Sequence, residues 1–278
     1  MSSDVQGKVL INGKAVDAAS ASISVFDIGF QRGYGCFETM RSYSGSPFRV
    51  DQHLDRLAAS AANLRINIGS IDRVKGWCLK VAEPGDGIVR VFVTGGTDMK
   101  HLGTNNSIIV FMEPLPQMPD VFSLDLIEAP WHSDGRSSEL SGAKTLSYGP
   151  NLAATITARS KGFDDAVLVG TGGAVLEGPT FSLGWVKDGQ IFTPSLDSNI
   201  LASVTRAAVV EVAVRLGFDV VEGSFVTKEL LDADEVFALS TSRQVASVVR
   251  IASTTFERGP ITASLRHGFL ELVKAETG

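Results

Sequence analysis

Apolar residues along the chain recur with periods of two and of about 3.6, so the sequence predicts strands mixed with helices. Lys8-Val-Leu-Ile-Asn-Gly-Lys-Ala-Val16 reads as a hairpin turning at Asn12-Gly13, a pair that accepts the left-handed backbone of a tight turn. Strands are expected over Phe37–Tyr43, Val89–Thr94, Ser107–Met112, Val121–Glu128, Asp165–Val169, Ala174–Glu177, Glu235–Leu239 and Val245–Ile251. A second hairpin over Gly184–Thr193 turns at Asp188-Gly189. A helix over Asp51–Ile66 places Leu54, Leu57, Ala61 and Leu64 on one face, with His53 and Arg56 beside the stripe as solvated residues. Pro150–Lys161 starts on proline and stops at Gly162, Ser203–Gly217 starts on an N-capping serine, and the tail from Thr262 is helical.

Glu113-Pro-Leu-Pro-Gln-Met-Pro-Asp120 holds three prolines in a short span and reads as a linker. It predicts a smaller N-terminal α/β domain (1–115), a linker (116–122) and a larger C-terminal α/β domain (123–278) that carries Lys144. The 278 residues are 44% hydrophobic and 20% charged, which excludes disordered and fibrous classes. The net charge of -6, without a basic run, argues against a nucleic-acid partner. No apolar run reaches membrane-crossing length, and the first residues lack a basic stretch followed by an apolar one. A cytoplasmic protein without a membrane partner is the expectation. Cys36, Cys78 and the four histidines have no ligand spacing, so no metal is expected.

Candidate chemistry centres on Ser141-Gly-Ala-Lys-Thr-Leu-Ser-Tyr-Gly-Pro-Asn151. Lys144 stands there among small, uncharged residues. Alone it fits either a surface charge or an amine held in a pocket and ready to form a Schiff base. Gly170-Thr-Gly-Gly-Ala-Val175 lacks the last glycine of a dinucleotide fingerprint and runs into a strand. Gly142-Ala-Lys-Thr145 lacks the glycine that directly precedes a P-loop lysine. A different set is coherent. The start of the Ser203 helix and the Ser240-Thr-Ser242 turn can offer amides to an anion, Arg56 a guanidinium, Lys144 an amine and Glu177 a carboxylate. These are the parts that hold pyridoxal phosphate.

Short motifs in order then resemble fold-type IV, class IV pyridoxal-phosphate aminotransferases, the group of branched-chain aminotransferases, D-amino acid aminotransferases and aminodeoxychorismate lyases. They are Val25-Phe-Asp-Ile-Gly-Phe-Gln-Arg-Gly-Tyr-Gly-Cys-Phe-Glu-Thr-Met-Arg41, His53-Leu-Asp-Arg-Leu57, Ala143-Lys-Thr-Leu-Ser-Tyr148 and Leu176-Glu-Gly178. Phe192-Thr-Pro194, Ile200-Leu-Ala-Ser-Val-Thr-Arg206 and Ala233-Asp-Glu-Val-Phe237 complete the series. The resemblance implies an α/β fold of two domains, with pyridoxal 5'-phosphate at their interface. Lys144 would carry the cofactor as a Schiff base and shuttle the proton. Glu177 would face the pyridine nitrogen, and Tyr148 would bond the phenolic oxygen. Arg56, Val204, Thr205, Ser240 and Thr241 would hold the phosphate. The resemblance also implies a homodimer that exchanges nitrogen between an amino donor and a 2-oxo acid through pyridoxamine phosphate. A branched-chain-like substrate is favoured. A D-amino acid aminotransferase is the first rival, then an (R)-amine transaminase or an aminodeoxychorismate lyase, and a non-catalytic binder of the cofactor is the remote alternative.

The chain also departs from the family pattern. After Glu177 a common Gly-Ser-Thr-Ser-Asn-Ile-Phe reads Gly178-Pro-Thr-Phe-Ser-Leu-Gly184, so Pro179 removes a donor and Ser182 shortens an amide. A frequent Thr-Arg-Gly reads Thr94-Gly-Gly96, without the arginine. Lys100, Arg32 or Arg243 would then read a substrate carboxylate. Phe30, Phe37 and Trp131 would line an apolar pocket.

Overall fold

The computed structural model describes residues 8–132 and 138–278, which form two compact units. Of the described residues, the first comprises 8–116, 143–148 and 273–278, and the second 117–132, 138–142 and 149–272.

In the first unit, β1 (Lys8–Ile11) and β2 (Lys14–Asp17) turn through Asn12 and Gly13, both at positive φ, as the Asn-Gly pair predicts. After α1 (Ile28–Arg32) come β3 (Gly35–Tyr43), β4 (Ser46–Pro47), α2 (Val50–Asn63), α3 (Ile71–Ala82), β5 (Gly87–Thr94) and β6 (Ile108–Glu113). The strands form one antiparallel sheet in the order β2-β1-β6-β5-β3-β4. Alternation along β3 buries Cys36, Glu38, Met40 and Ser42 and turns Phe37, Thr39 and Arg41 to the other face. α2 covers the buried face with Leu54, Leu57 and Ala61, and α3 with Val74, Cys78 and Val81. Burial and the nearby charge of Glu38 push both thiols, Cys36 and Cys78, up to about 12, so they stay protonated.

The second unit contains β7 (Val121–Glu128), α4 (Gly149–Ser160), β8 (Asp165–Val169), β9 (Ser182–Lys187), β10 (Gln190–Pro194), α5 (Val204–Arg215) and β11 (Val220–Gly223). α6 (Thr227–Leu231), β12 (Glu235–Ser240), β13 (Gln244–Ile251), β14 (Thr254–Thr255) and α7 (Pro260–Thr277) follow, the last turns of α7 counting with the first unit. The sheet order is β11-β10-β9-β12-β13-β7-β8, with β14 on β13, and the β10–β11, β13–β7 and β7–β8 pairs are parallel. Trp185, Leu183, Phe122, Leu124 and Val248 fill one core. Ala154 and Ala158 of α4 close on Ala166 and Leu168 of β8.

Two expectations change. Ala174–Glu177 is not a regular strand. Its groups are shared between β8 and the 225–227 segment, through Leu168 N to Glu177 O (2.8 Å), Val175 N to Phe225 O (2.8 Å) and the Ala174–Val226 bridge. Lys144 was expected in the larger unit, but 143–148 belong with the first. Phe37 N donates to Lys144 O (3.0 Å), Leu146 N donates to Gly35 O (2.9 Å), and Cys36 bridges Thr145, so the segment runs beside β3.

Candidate active site

Within the first unit, α2 organises the polar groups. Ser60 Oγ accepts the Lys144 N–H at 3.0 Å, and one turn earlier Arg56 points to the same face. Phe37, on the open face of β3, lies under the lysine, whose Nζ is 4.5 Å from the ring centroid and 5.9 Å from that of Tyr148. Phe37 and Tyr148 meet edge to face with centroids 5.3 Å apart, and Phe37, Phe92 and Phe111 stack in a row across the sheet. Lys144 is therefore a half-buried amine on an aromatic floor.

Arg56 and His53 are not solvated. Arg56 Nε and Nη2 donate to the two oxygens of Glu38 at 2.7 and 2.8 Å, and His53 Nδ1 lies 2.8 Å from Glu38 Oε2. Glu38 is fully buried. Burial alone would raise its pKa, but the charge and hydrogen bonds of Arg56, with those of His53, outweigh this and hold the carboxyl well below its usual range. Burial lowers the pKa of His53, with Arg56 and Lys144 adding to the shift and Glu38 opposing it. The unfolded chain therefore takes up this proton first. Stability falls as pH drops below about 6.5, at up to about 1.4 kcal/mol per pH unit. Urea unfolding midpoints at pH 7.5 and 5.5 check this, and His53→Gln flattens the difference.

In the second unit, Glu177 accepts Leu201 N–H at 3.3 Å on both oxygens and faces His132 Nε2 at 3.5 Å. Val204 and Thr205 form the buried first turn of α5, where Ser203 Oγ accepts Arg206 N–H as the expected N-cap. α5 packs on β12, which ends at Ser240, with Thr241 next in the turn. Ser240 Oγ accepts Arg243 N–H at 3.1 Å. Arg206, buried on Thr193 Oγ1 and Pro194 O, fixes that first turn to β10.

The remaining candidates separate. Phe30, Arg32 and Lys100 are exposed. Arg243 differs from its expected role as a carboxylate reader, because its guanidinium donates to Asp165 (2.8 Å) and Thr180 (3.0 Å) and lies over Phe122 and Phe181. Trp131 donates to Asn151 Oδ1 at 3.2 Å. Asn151 Nδ2 in turn donates to Pro179 O at 3.1 Å, and Ser182 is buried inside β9, so the altered loop after Glu177 is closed by other groups. Glu38 and His132 were not singled out from sequence. Glu38 had a signal, an acid on the inward positions of an alternating strand, and His132, in a loop, had none.

The missing arginine has a steric explanation. A Cβ at Gly95 would lie 2.5 Å from Tyr34 Cδ1 and 2.8 Å from Tyr34 O, and Tyr34 is tied by its hydroxyl to Leu64 O. No side chain fits there unless Tyr34 moves. Gly95→Ala is expected to cost about 1–3 kcal/mol, read from urea unfolding.

The first unit holds an amine on an aromatic floor and a part-buried guanidinium, and the second holds the start of α5 and a backbone-held carboxylate. Each is a group type suited to pyridoxal 5'-phosphate. Residues 35–251 match the family model for amino-transferase class IV. The chain belongs to that family of pyridoxal-5'-phosphate-dependent aminotransferases. It is 34% identical to a Methanocaldococcus jannaschii protein provisionally assigned as a branched-chain-amino-acid aminotransferase, over 95% of this chain and 96% of the other. It is 29% identical to a D-alanine aminotransferase of Listeria monocytogenes, over 98% of each. The structure of the fold IV-transaminase CpuTA1 from Curtobacterium pusillum superimposes with a TM-score of 0.88 at 27% identity, covering 95% of this chain and 92% of that one. Among the described residues no helix is long and apolar enough to cross a membrane.

Proposed function

We propose that the protein moves an amino group between a branched-chain-like amino acid and a 2-oxo acid. The observation that carries this reading is the aromatic floor under Lys144. Phe37 sits 4.5 Å from the amine and continues into Phe92 and Phe111, and the Gly95 position holds no cation. Such a surface favours an apolar substrate side chain. Arg32, at the exposed end of α1, and Lys100, in an exposed turn, are left to meet the carboxylate.

Bound pyridoxal 5'-phosphate supplies the electron sink that makes the substrate Cα proton acidic. Lys144 Nζ binds the cofactor and then carries that proton away from Cα and back. Arg56, held by Glu38 on its Nε–Nη2 edge, would bind a phosphate, as would the α5 amides of Val204 and Thr205 and the Ser240 and Thr241 groups. Glu177 would hold a proton on the ring nitrogen, and Tyr148 would bond the phenolic oxygen.

The test is to load the protein with pyridoxal 5'-phosphate and add L-leucine, D-alanine and (R)-1-phenylethylamine separately. Bleaching of the visible band by L-leucine supports the reading. Bleaching by D-alanine alone, or by the amine alone, replaces it with the corresponding rival. Pyruvate release from aminodeoxychorismate would make the protein a lyase, and a protein that takes up no cofactor would overturn the whole scheme.

The assembly we propose is a homodimer. Val25, Phe26 and Phe30 are 64%, 70% and 68% exposed around α1, an apolar cluster that a second copy would cover. Phe30 also lines a cavity of about 260 Å³, with Ile23, Phe92, Ile109 and Leu146. Phe26→Glu is expected to shift sedimentation from dimer to monomer.

A further inference from the structure

Two loops hang on the same strand, β8. Ala129 N donates to Val169 O at 2.8 Å, and the turn it starts is closed by His132 N donating to Ala129 O at 2.9 Å. On the second loop, Leu176 N donates to Leu168 O at 3.1 Å and Leu168 N donates to Glu177 O at 2.8 Å. Asn151 ties the loops again, accepting from Trp131 Nε1 and donating to Pro179 O. The strand and this cross-tie bring His132 Nε2 to 3.5 Å from Glu177 Oε1, with the two side chains only 13% and 12% exposed. That distance is the long end of a hydrogen bond, and contacts of this kind tighten when a ligand is bound.

The other ring nitrogen fixes the chemistry. His132 Nδ1 is buried and has no hydrogen-bond partner among the described residues. A doubly protonated ring would leave a charged N–H there unpaired, which costs more than an unpaired acceptor. The single proton therefore belongs on Nε2, facing the carboxylate. We propose that His132 is a positioning residue for Glu177. Its neutral Nε2–H steadies the carboxylate without taking its charge, so that charge is kept for the pyridine nitrogen. This rests on the role given to Glu177 above.

The test uses the full chain stripped of cofactor. Three quantities are measured: the dissociation constant of pyridoxal 5'-phosphate, the nitrogen NMR shift of ring-labelled cofactor, and the thermal midpoint of the apoprotein. His132→Phe is expected to weaken binding about 10-fold and move the nitrogen shift toward the unprotonated ring, with the apoprotein midpoint unchanged. His132→Gln, whose amide reaches the same place, keeps both wild-type values. In a Glu177→Gln background, His132→Phe has no further effect. If Glu177→Gln weakens binding and His132→Phe does not, the inference falls and the role of Glu177 stands. An equal effect of His132→Phe in both backgrounds also overturns it. If Glu177→Gln itself leaves binding and the nitrogen shift unchanged, the role of Glu177 falls and this inference with it. Should His132→Phe fail to fold, His132→Ala serves as the variant without a donor.

Discussion

Lys144→Ala is expected to lower kcat by about 10⁴-fold and to remove the cofactor's visible band, while the free energy of unfolding stays within about 1 kcal/mol of wild type. The separation of the two effects follows from what each part of the residue does. Its main chain is structural, since the amide donates to Ser60 Oγ and the carbonyl accepts from Phe37 N. Alanine keeps both bonds. Its side chain spans the face of Phe37 and ends near Tyr148, so truncation forfeits a cation–π contact of about 0.5–1 kcal/mol and the amine itself. An unchanged spectrum with unchanged turnover would show that another amine does the chemistry.

The same lysine shows where sequence reasoning reaches its limit. Its neighbours were legible because Gly-Ala-Lys, Leu-Glu-Gly and Ile-Leu-Ala-Ser-Val-Thr-Arg stand in order along the chain. Its place in the fold was not. The units part after Pro116, and 143–148 return to β3 through pairings between residues more than a hundred positions apart. No local pattern encodes such a return. α5 was legible because its ends are local, with Ser203 capping the first turn and Gly217 at positive φ after the last. α3 was not singled out although its buried Val74, Cys78 and Val81 keep helical spacing; Gly76 in its interior weakens the helix signal. The motif makes Arg56 an expected phosphate ligand, but its pairing with Glu38, eighteen residues away on another element, is not encoded there.

Glu38→Gln is accordingly expected to be the most damaging substitution to stability among those proposed, at about 3–5 kcal/mol, with the thermal midpoint falling by about 10 °C. Glu38 sits between Cys36 and Met40 on the buried face of β3 and accepts from Arg56 twice and from His53 once. Glutamine fills the same volume but removes the charge and turns one accepting oxygen into a donor. A donor then faces the donors of Arg56 or His53, and the Arg56 cation is left buried without its counter-charge. The pH signature separates this carboxylate from its histidine partner. Because the Glu38 carboxyl is held below its usual range, its stabilisation is complete above about pH 4.3 and is lost only as pH falls through the lower folded value. His53 loses its contribution earlier, from about pH 6.5 downward. Wild-type acid sensitivity between pH 6.5 and about 4.3 therefore belongs to His53, and Glu38→Gln lowers stability across that whole window. Replacing both partners, Glu38→Met with Arg56→Leu, should cost less than Glu38→Gln alone, since no charge is stranded. The double variant should still fail to retain pyridoxal 5'-phosphate, because Arg56 is gone. A loss below about 1 kcal/mol for Glu38→Gln would mean that water or a neighbouring group already satisfies Arg56. The bidentate pair would then not be what orients the guanidinium toward the phosphate.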